Sequence, residues 1–255
     1  MPIIQSLDRA LRILDLFDEQ ESELKITEIS RKMELHKSTV HSLLKTLQEH
    51  RYMEQNPETG KYRLGMKLLE RGNLLLQHLD IRTLARTELL MLASATGQTA
   101  HLVIQEGREG VYIDKVEGPR AVIRYSRIGR RIPLHCSSVG KVLAAFLPQA
   151  ERDHLLQGYD FTVHTPRTIT DKMMFIKELE QVKVDGYAID NQENEPGVRC
   201  VAVPIRNHTG QVIAAVSIST LVSNVDDNEL EAFISVLKST GESISNQLGF
   251  GMVKV

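Results

Sequence analysis

The chain has 255 residues, long enough for a small module followed by a larger domain with its own core. A formal net charge of -2 excludes a protein coated in positive charge, so any contact with nucleic acid must come from a local patch. Two cysteines, Cys136 and Cys200, are too few for a disulfide scaffold. The N-terminus has no charged lead before an apolar core and no apolar run is long enough to span a bilayer, so a soluble cytoplasmic protein with no membrane partner is expected.

In chain order, Ser6 can cap a first helix in which Leu7, Leu11, Leu14 and Phe17 recur along one stripe. That helix is expected to pack beneath a helix pair. The acidic stretch Asp18 to Glu23 reads as a solvated connection. Thr27 to Met33, with Thr27 as N-cap, is the first helix of the pair, and Ile26, Ile29 and Met33 face one side. A turn at Glu34 and Leu35 leads to a second helix from about His36 to Leu47, where Val40, Leu43, Leu44 and Leu47 form the buried stripe. Its other face, Lys37, Ser38, Thr39, His41, Ser42, Lys45 and Thr46, holds no acid and is rich in the hydroxyls and cations that bind phosphates and base edges. Two short strands, Tyr52 to Gln55 and Lys61 to Leu64, flank Asn56-Pro57-Glu58-Thr59-Gly60 and make a basic-tipped wing carrying Lys61 and Arg63. Residues 1–65 therefore read as a winged helix-turn-helix for double-stranded DNA. Glu34 dissents, because Gly is favoured at that turn and a left-handed Glu costs about 1 kcal/mol.

Residues 66–80 are helix-like despite Gly72, and their excess of leucine suggests a linker helix that also packs on a partner chain; docking on its own domain is the alternative. From residue 81 to 255 the pattern changes. A helix at Leu84 to Thr96 stops at Gly97, and strands follow at Thr99 to Gln105, Val111 to Val116 and Ala121 to Ser126. Helices are expected from Ser137 or Ser138 to Phe146, over Glu151 to Gln157 and over Asp171 to Val184. Strands return at Tyr187 to Asp190, Cys200 to Ile205 and Gln211 to Ser219, before a closing helix from Asp226 to Gln247. This order indicates an α+β domain with one antiparallel sheet.

Three stretches carry a specific resemblance: Lys37-Ser38-Thr39-Val40-His41, the run Gly129-Arg130-Arg131-Ile132-Pro133-Leu134-His135-Cys136-Ser137-Ser138-Val139-Gly140-Lys141, and Gly186 to Pro204 with Asp190, Gly197, Cys200 and Pro204. In these, and in their order and separation, the chain resembles the IclR family of transcriptional regulators from end to end. Residues 125–131 and 244–249 further resemble the family's repressors of sugar-acid catabolism that respond to 2-keto-3-deoxygluconate. The resemblance implies an effector domain related to GAF and profilin-like sensors, with sensor domains pairing dimers into a homotetramer.

A helix beginning at Ser137 or Ser138 offers unpaired backbone N–H groups at its positive end, from Ser138, Val139 and Gly140, where a carboxylate is readily held. Matched to the family pattern, Asp190, Cys200, Ser217 and Ser219 are implied to line the opposite wall, and Ala121, Ile132 and Val198 fall at positions that are apolar walls. Arg124 occupies another such position. Its charge is a departure that, facing inward, favours a larger oxygen-rich acid over glyoxylate or pyruvate. In the duller account Ser217 and Ser219 are satisfied strand residues, Asp190 caps a turn, and Gly140 serves packing.

Two other classes compete. A nucleophilic thiol at Cys136 beside His135 is disfavoured, because neighbours in an extended segment point to opposite sides. A metal or thiol sensor built on His101, His135, Cys136 and Cys200 lacks paired-ligand spacing such as C-x-x-C. The expected protein is therefore no enzyme and needs no cofactor. It is a regulator, a homodimer at least, that reads two half-sites of a palindromic operator and is gated by a small organic acid.

Overall fold

The computed structural model describes residues 3–18, 20–77, 80–122 and 126–251, with backbone alone for residues 73, 75–77 and 80. The chain divides into two compact units, residues 1–78 and 79–255.

In the first unit, α1 spans Gln5–Leu14, α2 Ile26–Met33 and α3 Lys37–Glu49. The N-cap of α1 is Ile4, not Ser6, and the helix is rotated from the expected stripe. Ile13 and Phe17 enter the core with Ala10 and Leu14 at its edge, whereas Leu7 is 56% and Leu11 53% exposed. Ala10, Ile13, Leu14 and Phe17 are themselves spaced i, i+3, i+4, i+7, so two overlapping stripes existed and packing selected the one without Leu7 and Leu11. α2 begins one residue earlier than expected. Lys25 is its N-cap in place of Thr27, and the Glu28 carboxylate accepts the Lys25 N–H at 2.6 Å.

Glu34 takes the left-handed conformation, φ 54° and ψ 39°. Around it the Leu35 N–H reaches Ser30 O at 3.1 Å and the Ser30 hydroxyl donates to Leu35 O at 2.6 Å, which closes the turn without glycine. Strands β1, Met53–Gln55, and β2, Tyr62–Leu64, pair antiparallel with Met53 opposite Leu64. The wing tip is not basic: Glu58 is exposed there, its N–H held by the Asn56 side chain at 2.9 Å. The acidic connection has a partner as well, since Glu21 pairs with Lys32. Helix α4 covers Lys67–Gln77, with Leu69 and Leu74 exposed.

The second unit opens with α5, Asp80–Thr96, ended by Gly97 at φ +73°. β3, Thr99–Glu106, and β4, Glu109–Glu117, form a hairpin. The strand expected over 121–126 is absent at Ala121, Val122 and Ser126, and residues 123–125 lie outside the described residues. The partner of β4 is instead β5, Arg131–Pro133. Then come α6, Ser138–Ala145; α7, Gln149–Leu155; α8, Lys172–Asp185; β6, Ala188–Asn191; β7, Val198–Arg206; β8, Val212–Leu221; and α9, Asp227–Gln247. Side chains of Ser137, Asp171 and Asp226 cap α6, α8 and α9.

One antiparallel sheet results, in the order β5-β4-β3-β8-β7-β6. Alternation sends Leu102, Val201, Val203, Val216 and Ile218 to one face, under α5 and α9. Val103, Ala202 and Ala215 go to the other, under α6 and α8. That second face is where polar residues interrupt the core.

Candidate functional site

The exposed face of α3 is cationic and hydroxyl-bearing. Lys37, Ser38, His41, Ser42, Lys45 and Thr46 are exposed and Thr39 is half-buried, while Val40, Leu44 and Leu47 are buried behind them. The Ser42 and Thr46 hydroxyls donate back to the carbonyls of Ser38 and Ser42 at 3.1 and 3.0 Å, which leaves their oxygens turned outward as acceptors. In the wing, Lys61 is half-buried, and Arg63 is tied to Glu54 at 3.0 Å, so Arg63 must exchange that partner to meet a phosphate.

In the second unit, strand register assembles a polar row across four strands. Thr99 lies opposite Ser219, Ser219 opposite Cys200, and Cys200 opposite Asp190; His101 opposite Ser217 starts a second row. These residues face the N-terminus of α6, whose first-turn N–H groups at Ser138 and Val139 have no acceptor within the helix. Between them is a cavity lined by Tyr112, Ser126, Ile132, Ser137, Ser138, Val139, Asp190, Asn194, Cys200, Ser217 and Ser219, with a volume of about 10 Å³. That is room for about one water.

Burial sets the protonation of this lining. The Asp190 carboxyl is pushed up to about 7 by burial, against the N–H of Glu193, which it accepts at 2.7 Å. Burial likewise raises the Tyr112 phenol and the Cys200 thiol, which donates to the Ser219 hydroxyl at 3.0 Å. His101 is held down to about 3 by burial and is therefore neutral; its Nε2 bonds the Ser126 hydroxyl at 2.7 Å while Nδ1 has no partner. A cavity of neutral donors at a helix N-terminus suits an oxygen-rich anion better than a cation. Behind it Lys141, 1% exposed, donates to Glu178 at 2.9 Å, Glu193 at 2.7 Å and Ile189 O at 2.8 Å, and so braces the 190–194 turn against α6.

Of the residues expected to bind effector, the fold brings together Ile132, Ser138, Val139, Asp190, Cys200, Ser217 and Ser219. Gly140 is not among them. Its N–H is taken by the Ser137 side chain at 3.1 Å, and a Cβ there would stand 2.4 Å from Leu134 Cα, so close packing is what requires glycine. Val198 is buried two residues along the same face of β7, outside the lining, and Ala121 is also outside it. Arg124 lies outside the described residues. Sequence reasoning missed Tyr112, Ser126, Ser137 and Asn194. Ser137 stood next to residues already singled out, and Tyr112 is exposed as a lining residue only by its register opposite Val103.

The residues of the competing readings do not gather as expected. His101 and Cys200 bond to Ser126 and Ser219, apart from His135 and Cys136. Contrary to the expected divergence of neighbours, a ring nitrogen of His135 and the Cys136 sulfur lie within 4.8 Å of one another, with His164 as a third member. They form no nucleophile and base pair. The His135 nitrogens bond Tyr159 Oη at 3.2 Å and Thr162 O at 3.0 Å, and burial pushes the Cys136 thiol up to about 12.

A helix-turn-helix with a wing, followed by a sheet domain enclosing a small polar cavity, defines a DNA-binding transcriptional regulator. Residues 6–57 match the IclR helix-turn-helix domain and residues 73–246 the bacterial transcriptional regulator IclR C-terminal domain. The chain belongs to the IclR family. It is 57% identical over 250 residues to the HTH-type transcriptional regulator XynR of Escherichia coli, covering 98% of this chain and 99% of that one. To the HTH-type transcriptional regulator KdgR of the same organism it is 36% identical over 247 residues, covering 97% and 94%. Among solved structures, an IclR homologue from Microbacterium hydrocarbonoxydans complexed with 4-hydroxybenzoate superposes with a TM-score of 0.81 at 26% identity, covering 95% of this chain and 98% of that one. Among the described residues no helix is long and apolar enough to cross a membrane.

Proposed function

We propose that this regulator represses a catabolic operon and is released by a small keto or sugar acid bound in the second unit. The observation that carries this reading is the cavity, where the α6 N-terminus faces a wall of hydroxyls and an Asp190 whose carboxyl is pushed up to about 7 by burial. The carboxylate of an acid would take the Ser138 and Val139 N–H groups, and its hydroxyls would meet Asp190, Ser217 and Ser219. A carboxylate bound by a relative of the same fold supports this class of ligand. A volume of about 10 Å³ does not admit such an acid. Effector must therefore favour a more open arrangement, and differential affinity for two states is what gating requires.

On the DNA side, Lys37, Ser38, Thr39, His41, Ser42 and Lys45 would enter the major groove, with Lys61 and Arg63 on the flanking backbone. One module buries too little surface for specificity, so a homodimer would read a palindromic operator, with pairing into a homotetramer on top. The apolar side chains Leu7, Leu11, Leu69 and Leu74 left exposed in the first unit support such pairing.

The test is a thermal-shift screen of keto and sugar acids, followed by operator release with any hit. Asp190→Ala is expected to keep operator affinity and lose the response. An Asp190→Ala protein that still responds normally refutes the assignment of the cavity.

A further inference from the structure

The cluster of His135, Cys136 and His164 takes no part in the reading above. One donor atom from each lies within 4.8 Å of the others. Tetrahedral zinc with two nitrogens and a sulfur needs donor separations of roughly 3.3–3.7 Å, so closure by about 1 Å is required. His164 can supply it for its own two separations: its imidazole is exposed, makes no hydrogen bond among the described residues, and pairs with the His135 ring at 6.0 Å between centroids. The backbone of its loop is anchored, because the Thr168 hydroxyl accepts the His164 N–H at 3.1 Å and donates to Glu193 O at 2.6 Å. A rotation of the His164 side chain brings it closer without rebuilding the loop.

The tautomer of His135 leaves Nδ1 as the ligating nitrogen. Its Nε2–H donates to Thr162 O at 3.0 Å, the backbone-carbonyl bond that fixes tautomer and ring in metal-binding histidines. Nδ1 is left with its lone pair, engaged only by the Tyr159 hydroxyl at a long 3.2 Å. The Cys136 thiol has one weak partner, Asn194 Oδ1 at 3.6 Å. Two imidazoles and a thiol are a nitrogen–sulfur donor set that selects zinc over calcium or magnesium.

We propose that His135, Cys136 and His164 form a binding site for Zn²⁺ or a divalent ion of the same borderline softness, with water in the fourth position. On binding, the Cys136 S–H bond breaks, the sulfur electron pair goes to the metal and the proton to the buffer. Nδ1 of His135 gives up the Tyr159 hydroxyl, and no oxidation is involved. The proposal does not depend on what the cavity binds. It adjoins that cavity, because Cys136 precedes the Ser137 cap of α6 and its present partner Asn194 is in the lining.

The experiment uses reduced, chelator-stripped full-length protein titrated with Zn²⁺ by calorimetry, and with Co²⁺ followed by absorption. One equivalent per chain is expected, with a thiolate-to-Co²⁺ charge-transfer band and the strong visible bands of tetrahedral cobalt. Cys136→Ser should abolish the charge-transfer band, His164→Ala should weaken binding about tenfold or more, and Cys200→Ser should leave both unchanged. His164 is exposed, so its variant remains informative even if Cys136→Ser misfolds. No saturable binding, or binding undiminished in His164→Ala, overturns the proposal.

Discussion

Replacing Asp190 by Asn separates the cost of the cavity's carboxyl from its use. The Asn side-chain oxygen can keep the bonds from the Glu193 and Asn194 N–H groups, at 2.7 and 3.4 Å, while removing the titration. The folded carboxyl titrates at about 7 against an ordinary 3.8, mainly through burial. Below about 4 both states hold the proton and the group contributes nothing. Between about 4 and about 7 the unfolded chain ionises first, so stability falls as pH rises. Above that window the folded state carries a constant penalty of about 4 kcal/mol, at about 1.4 kcal/mol per tenfold. Asp190→Asn should therefore match the parent in urea unfolding near pH 4 and exceed it increasingly up to about pH 8, by as much as ~4 kcal/mol. An offset that is the same at every pH would refute the argument that burial of this carboxyl opposes folding. In the parent, affinity for an anionic effector should also fall as pH rises through 7, because ionised Asp190 then repels it.

Lys45→Ala should weaken operator binding for any sequence and reduce the slope of log K against log salt by about 0.9 per half-site, measured by anisotropy titration; an unchanged slope removes Lys45 from the phosphate contacts. Glu34→Gly should stabilise the first unit by about 1 kcal/mol, because φ 54° is free of cost only for glycine; a loss in thermal melts would show that the Glu34 side chain matters more than its backbone. Lys141→Met should destabilise by about 3–5 kcal/mol in urea unfolding, because Glu193 would be left buried without its cation. A loss below about 1 kcal/mol would mean that Glu193 simply takes up a proton.

Where sequence reading succeeded, one periodicity dominated. The stripe Val40, Leu44 and Leu47 left a single way to orient α3, and Gly97 marked a helix end by local chemistry. α1 offered two overlapping stripes of equal quality, and only the position of α2 and α3 decides between them. The strand expected over 121–126 had the right composition but lost β4 to Arg131–Pro133, and pairing between distant residues cannot be read from composition. The site divides in the same way. Ser217 and Ser219 share a face by alternation alone, but their meeting with Asp190 depends on the registers β8 to β7 and β7 to β6. A Ser or Thr in a strand can satisfy itself locally, so no one residue marks the wall. What distinguishes it is accumulation: Thr99, Ser219, Cys200 and Asp190 in one row and His101 and Ser217 in the next, with Thr99 Oγ1 and His101 Nδ1 unpartnered. A face kept only for stability would replace that row with Val and Ala, as its neighbours Val103, Ala202 and Ala215 do. Retaining Thr99 Oγ1 and His101 Nδ1 unpartnered there costs stability that apolar side chains of the same shape would not cost.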